Sequence, residues 1–319
     1  MAAKRPSRVR VREPVCSSLP PEVWIHILSY HTDLAHLWVD CRRVSSTLRA
    51  CAEYTFGEYF LKDVHIDFQL EKYNLGGKSK RPEVPVTFAR LGKREEKEVA
   101  WYGDKRAKET LGHGRGKREQ ERYDMVMYRW EENLRGWKPE MPNYTIRIGD
   151  LVNDTALPGL DIIVAEREIR FEWKKMLHLF FREHERLLDL KKDWRTRTAK
   201  IIRANNKRLA KGEKLMAADF PPPWSVAGLE IRKHIRRARL KEQYIEDEEM
   251  IWAIDSLRHF EQYGAATGIT RAFKLDADLP GAGLGEKWFG STNLVQELYL
   301  DEWSCLHRID TKIEHMQSE

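Results

Sequence analysis

Apolar and polar positions change their period several times along the chain. From Leu19 to Phe60 the spacing is helical. Pro21 sits where a first helical position should be, with φ preset and no useful donor lost. Glu22 then falls in the first turn, favourable against the helix dipole. Val23, Ile27 and Leu28 mark one face, with Trp24 on its flank. A second short helix fits Asp33 to Cys41, with Asp33 as N-cap and Leu34, Leu37, Trp38 and Cys41 at i, i+3, i+4, i+7. A third fits Ser45 to Glu58, capped by Ser45 or Ser46, with Val44, Leu48 and Cys51 packing inward.

From Val64 the period becomes two. Val64, Ile66, Phe68 and Leu70 alternate with His65, Asp67 and Gln69, a strand pattern that leads to a turn at Gly76-Gly77. Val84 to Phe88 reads as a partner strand, which Pro85 confines to an edge or a strand start. Lys93 to Arg122 is charged and glycine-containing, and reads as a solvated insertion at about 90–122. Tyr144 to Ile148, Leu160 to Ala165 and Ile169 to Trp173 read as strands, the last leading into a helix through Leu177, Phe180, Phe181, His184, Leu187 and Leu188. Its polar continuation, Lys191 to Lys214, is expected to project as an exposed helix. Pro221-Pro222-Pro223 stops it. A second long helix is expected from about Ala227 to Tyr263, ended by Gly264. A loop follows at Gly281 to Gly285, and an amphipathic helix at Leu294 to Met316. The fold class is therefore α+β: three N-terminal helices, then a mixed region of short antiparallel strands and long charged helices.

At 319 residues the chain has room for about two domains. Its 41% hydrophobic content excludes a wholly disordered chain. The expected division is a disordered basic segment 1–17, a helical domain 18–60 and a strand-and-helix region 61–319. The longest stretches free of Asp, Glu, Lys and Arg are ten residues, Val23 to Thr32 and Phe220 to Leu229. A bilayer span needs about 20, so no membrane contact is expected. No apolar run follows the basic start, so the localisation implied is cytoplasmic and/or nuclear. Cys16, Cys41, Cys51 and Cys305 have neither C-x-x-C nor zinc-finger spacing and read as reduced thiols.

The net charge of +6 conceals two blocks. Arg167 to Lys241 holds 22 Lys/Arg against 9 Asp/Glu, whereas Glu242 to Glu319 holds 6 against 16. Such blocks suit either a nucleic-acid surface or two parts of one fold that attract each other. Within the first block, Lys191 to Lys214 carries ten basic residues and two acidic ones. Nucleic acid is the alternative partner it suggests. The only aromatic residue there is Trp194, which is poor in stacking positions for a single strand.

Catalytic patterns fail on inspection. Gly116-Lys117 lacks the glycine five residues earlier, where Leu111 stands, and Arg118 replaces Ser/Thr. Gly281-Ala-Gly283-Leu-Gly285 is followed by Glu286, which breaks the dinucleotide pattern. His184-Glu185 lacks its second histidine, since position 188 is leucine. No catalytic, cofactor-binding or metal residue is assigned, and no enzymatic activity is expected.

Three short helices in about 40 residues bury too little surface to be robust alone, which hints at a module that docks on a partner, or else at a helical cap docked on the rest of its own chain. The run Leu19-Pro20-x-Glu22-Val23-x-x-x-Ile27-Leu28-Ser29-Tyr30, then Asp33-Leu34-x-x-Leu37-Trp38, then Cys41-Arg42-x-Val44-Ser45-x-x-x-Arg49 resembles an F-box. The remainder is similar, more loosely, to the strand-rich F-box proteins abundant in filamentous fungi. One departure is His31-Thr32, where the family usually has an apolar residue. The resemblance implies a substrate-receptor subunit of an SCF-type cullin–RING ubiquitin ligase. Its partners would be a Skp-type adaptor, a cullin through that adaptor, and an unknown protein substrate destined for ubiquitin-dependent degradation. It implies adaptor binding by Leu19, Pro20, Val23, Ile27, Leu28, Leu34, Leu37 and Val44. Leu19 and Pro20 would form the N-terminal contact element, Ile27 and Leu28 would be partly core and partly interface, and Leu34, Leu37 and Val44 would complete the bundle and its docking face.

Overall fold

The computed structural model describes residues 19–70, 83–93, 96–106, 117–267 and 291–318. The expectations for 1–17, for the turn at Gly76-Gly77 and for the loop Gly281 to Gly285 lie outside the described residues. The class is α+β. The chain divides into two compact units between Leu61 and Lys62.

The smaller unit is helical. Helix α1 (Pro21–Ser29) starts where Pro20 offers its carbonyl to the amides of Val23 and Trp24, at 3.1 and 3.2 Å. Asp33 caps α2 (Leu34–His36) by accepting from the His36 amide at 2.9 Å. A π-helical turn, Leu37–Cys41, continues directly into α3 (Arg42–Val44). The wider turn lets Leu37, Trp38 and Val39, three consecutive residues, all be buried. Ser45 then breaks the helix in an extended conformation and caps α4 (Ser46–Glu58) through the Leu48 amide at 3.1 Å. The core joins Leu28, Ala35, Leu37, Trp38, Cys51, Ala52 and Phe56, with the Trp38 and Phe56 rings edge-on at 4.8 Å. Arg42 lies over the Trp38 ring at 3.9 Å and pairs with Glu53 at 2.6 Å.

The larger unit is built on a seven-stranded antiparallel sheet of order β5-β4-β1-β2-β3-β7-β6. Its strands are β1 (Val64–Gln69), β2 (Glu83–Leu91), β3 (Val99–Gly103), β4 (Tyr144–Ile148), β5 (Leu151–Asn153), β6 (Asp161–Ile163) and β7 (Glu168–Glu172). Ile66 lies opposite both Val86 and Ile146, and Tyr102 opposite Phe88 and Ile169, so alternate residues of five strands form one buried face. Helix α5 (Lys117–Arg135) contributes Met127, Trp130 and Leu134 to the core, with Trp130 against Phe68 at 5.8 Å. Helix α6 (Trp173–Ala210) follows β7 without a loop and buries Trp173, Met176, Leu177, Phe180 and Phe181 in its first three turns. Helices α7 (Trp224–Gln243), α8 (Glu248–Thr267) and α9 (Ser291–Ser318) share a second cluster of Leu240, Met250, Ala253, Ile254, Leu257, Val295 and Leu298.

Three expectations need correction. The solvated insertion at about 90–122 is interrupted by β3, an internal strand with Ala100 and Tyr102 fully buried, and α5 begins within it at Lys117. Charge on both sides of a five-residue strand hides it from a composition argument. The single helix from Ala227 to Tyr263 is two helices, because Asp247 caps α8 through the Met250 amide at 3.0 Å. The break lets α8 bury its apolar residues beside Leu240 of α7, and α8 runs past Gly264 to Thr267. Val44 does not pack inward: it is 70% exposed, because it closes α3 just before the extended Ser45.

The two charge blocks meet within this unit. Arg232, Lys233, Arg237 and Lys241 of α7 pair with Asp310, Glu261, Glu302 and Asp255 of α8 and α9. Arg182 of α6 adds a pair to Glu242, and among the described residues the stretch Lys191 to Lys214 takes no part in the pairing.

Candidate functional site

Helix α1 is apolar on two sides. Leu28 faces inward, and the Cys51 thiol of α4 meets the Pro21 carbonyl at 3.7 Å on that side. Val23 and Ile27 lie one turn apart on one face of α1, with Leu19 just ahead of the N-cap Pro20 and Tyr30 at the C-cap. All four are open: Leu19, Val23, Ile27 and Tyr30 are 38%, 42%, 48% and 74% exposed. Full burial of an aliphatic side chain is worth about 1.5–3 kcal/mol, so each half-exposed one retains roughly 1 kcal/mol for a partner to realise. Monomeric proteins seldom leave a contiguous apolar patch uncovered without a use for it.

The eight residues singled out as adaptor contacts separate into two groups. Leu19, Pro20, Val23, Ile27 and Val44 stand at the surface. Leu28 and Leu37 are buried and Leu34 is partly buried, so these three hold the helices together. Leu28 and Leu37 cannot touch a second protein in this conformation. The grouping of Val23, Ile27 and Leu28 on one face is corrected likewise: the first two point out and the third points in. Tyr30 was missed, although its spacing from Ile27 is the same signal read one turn further. Tyr54 and Tyr59 are also exposed on this unit.

The two cysteines described on this unit are Cys41 and Cys51. Burial raises the Cys51 thiol pKa, with Glu22 adding to the effect, and burial followed by Asp40 does the same for Cys41. A thiol held protonated is a poor nucleophile. Among the described residues no group of three His, Cys, Asp or Glu side chains is placed to hold a metal ion.

In the larger unit several buried charged groups gather around Asp154. Asp154, at the end of β5, receives Arg236 and Arg239 of α7, the latter at 2.7 Å. Arg239 also grips both carboxylate oxygens of Glu183 on α6, at 2.9 and 3.0 Å. The Cys305 sulfur of α9 lies 3.3 Å from Arg236 and 2.9 Å from Arg308, and Arg308 donates to the Pro142 carbonyl at 2.9 Å. Burial by itself would raise the Asp154 pKa, but the attraction of Arg236 and then Arg239 outweighs it and holds the carboxyl well below the ordinary range. Burial pushes the Cys305 thiol up, opposed only in part by Arg236 and Arg308. The arrangement fastens the 140–155 segment to α6, α7 and α9. A pocket of ≈ 340 Å³ adjoins it, lined by Thr155, Leu179, Arg182, Glu183, Arg239 and Gln243.

No family model, curated protein or solved structure matches the chain. Among the described residues no helix is long and apolar enough to cross a membrane.

Proposed function

We propose that this chain is a substrate-receptor subunit of an SCF-type cullin–RING ubiquitin ligase. In this reading the N-terminal helices are an F-box that docks on a Skp-type adaptor. The exposure of Leu19, just ahead of α1, and of Val23 and Ile27 on its outer face is the observation that carries it. Pro20 and Val44 add exposed apolar surface on the same unit. A standard interface buries about 800 Å² per partner, with a few desolvated anchors dominating the affinity. Leu19, Val23 and Ile27 are those anchors here, and Leu28, Leu34 and Leu37 set the geometry from which they project. The larger unit would hold the protein substrate. The chain itself performs no bond chemistry in this role. It raises the local concentration of substrate at the ligase.

The reading is tested by capture of a purified Skp-type adaptor with the full-length chain. The pair Leu19→Ala and Pro20→Ala is expected to weaken capture at least tenfold while the far-ultraviolet dichroism stays unchanged. Failure of the unmodified chain to retain the adaptor would remove the proposal.

A further inference from the structure

The distal half of α6 has a face that meets no counter-charge among the described residues. At about 100° per residue, Trp194, Asn205 and Arg208 fall in one sector of the helix. That sector is partly covered by the segment returning toward α7. Trp194 meets the Trp224 ring at 5.1 Å, Asn205 donates to the Asp219 carbonyl at 2.8 Å, and Arg208 pairs with Glu213 and Asp219 at 2.9 Å each. The opposite sector carries Lys192, Lys200, Arg203, Lys207 and, just beyond the last turn, Lys211, all exposed, with exposed Arg195 and Arg197 on its flanks. Between them stand Thr196, Ala199 and Ala210, and the one acidic residue, Asp193, is at the proximal end. Lys200, Arg203, Lys207 and Lys211 follow at steps of three and four residues, where like charges cost about 0.2–0.5 kcal/mol per pair. From Lys192 to Lys207 the ridge is about 22 Å long at 1.5 Å per residue.

We infer that this ridge binds the phosphate backbone of double-stranded DNA without sequence preference. Its composition separates that occupant from the others. A protein interface draws affinity from aromatic and aliphatic anchors and is depleted in lysine. This sector has no such anchor. A helix lying in an anionic membrane surface needs its apolar residues on the membrane side. Here Ile201, Ile202 and Leu209 are 39%, 45% and 52% exposed, but they lie on the side of the helix held by the Trp194–Trp224 contact, and the basic ridge itself carries no large apolar residue. A single-strand site stacks bases on aromatic rings, but Trp194 and Trp224 are engaged with each other. Phosphate binding needs only cations on a firm support, and a helix of 10–12 Å diameter matches the major groove, about 12 Å wide. The inference is independent of the adaptor reading.

The test is fluorescence anisotropy of the full-length chain with a labelled 20-base-pair duplex of random sequence, between 50 and 200 mM salt. Five phosphate contacts give a slope of log K against log salt of about −4.5, a loss of about 500-fold over that range. The triple variant Lys200→Glu, Arg203→Glu, Lys207→Glu is expected to lose at least tenfold at 50 mM salt and to flatten the slope to about −2. Lys62→Glu, Arg118→Glu, Arg258→Glu alters three exposed basic residues elsewhere on the same unit and takes the net charge of +6 to zero equally. It is expected to keep most of the affinity. The inference is overturned by any of three results: no binding of the unmodified chain at 50 mM salt, an equal loss in the control triple, or a single strand or polyglutamate competing as well as the duplex. Should the ridge variant not fold, the salt slope of the unmodified chain decides alone, and a value shallower than about −2 counts against the inference.

Discussion

Asp154→Asn removes the one carboxylate shared by two buried guanidiniums. The side chains of Asp154 and Arg236 are each 3% exposed and that of Arg239 is 10% exposed, so water cannot replace the lost charge. Arg239 keeps Glu183, whereas Arg236 is left with the Glu140 carbonyl and the Cys305 sulfur. Breaking a buried pair on one side costs about 3–5 kcal/mol, mostly from the charge left behind. For a unit of this size each kcal/mol moves the midpoint about 2–4 °C, so the expected fall is roughly 6–20 °C. The native Asp154 pKa is depressed, so its stabilisation is complete above the unfolded carboxylate value of about 3.9 and is lost as pH falls through and below it. Thermal melts by circular dichroism from pH 7 down to pH 3 read both effects. The variant is expected to melt lower at pH 7 and to lose less on acidification than the unmodified protein. A variant within about 1 kcal/mol at pH 7 would refute the claim that this pair fastens the 140–155 segment. Adding Arg236→Met to Asp154→Leu should recover part of the loss, because an apolar pair leaves no orphan charge.

Two further outcomes follow from the smaller unit. Leu37→Ala opens a cavity in a sealed core and should cost about 2–5 kcal/mol, whereas Ile27→Ala, at a half-exposed site, should cost well under that in a urea titration. Ser45→Ala removes the acceptor for the Leu48 amide at the start of α4 and should cost about 1 kcal/mol in the same measurement.

Much of the larger unit could be read from period alone, because Val64 to Phe68 bury alternate residues and Tyr144, Ile146 and Ile148 are buried at the same period, with Thr145 buried as well. Pro85 shows where a local rule is partly right. It lies in an internal strand, yet the ladder to β3 begins only at Thr87, so at Pro85 the strand is paired on the β1 side alone. Strand β3 and helix α5 escaped because the charges around them dominate any composition window. Met127, Trp130 and Leu134 nevertheless sit at helical steps, a signal that periodicity holds and composition hides. The buried grouping of Asp154, Arg236, Arg239 and Glu183 was out of reach, since its members are brought together by strand and helix packing across as many as 85 residues. On α1 the apolar content was legible, but the split between inward Leu28 and outward Val23 and Ile27 depends on where α4 lies.

The central claim is that the exposed Leu19, Val23 and Ile27 at α1 form a docking face for a Skp-type adaptor. Amide hydrogen exchange of the full-length chain, with and without saturating adaptor, tests it most directly. The account predicts slowed exchange through Leu19 to Tyr30 on adding the adaptor, with the amides of α7 to α9 unchanged. Unaltered exchange through Leu19 to Tyr30, with the adaptor present in excess, would contradict it.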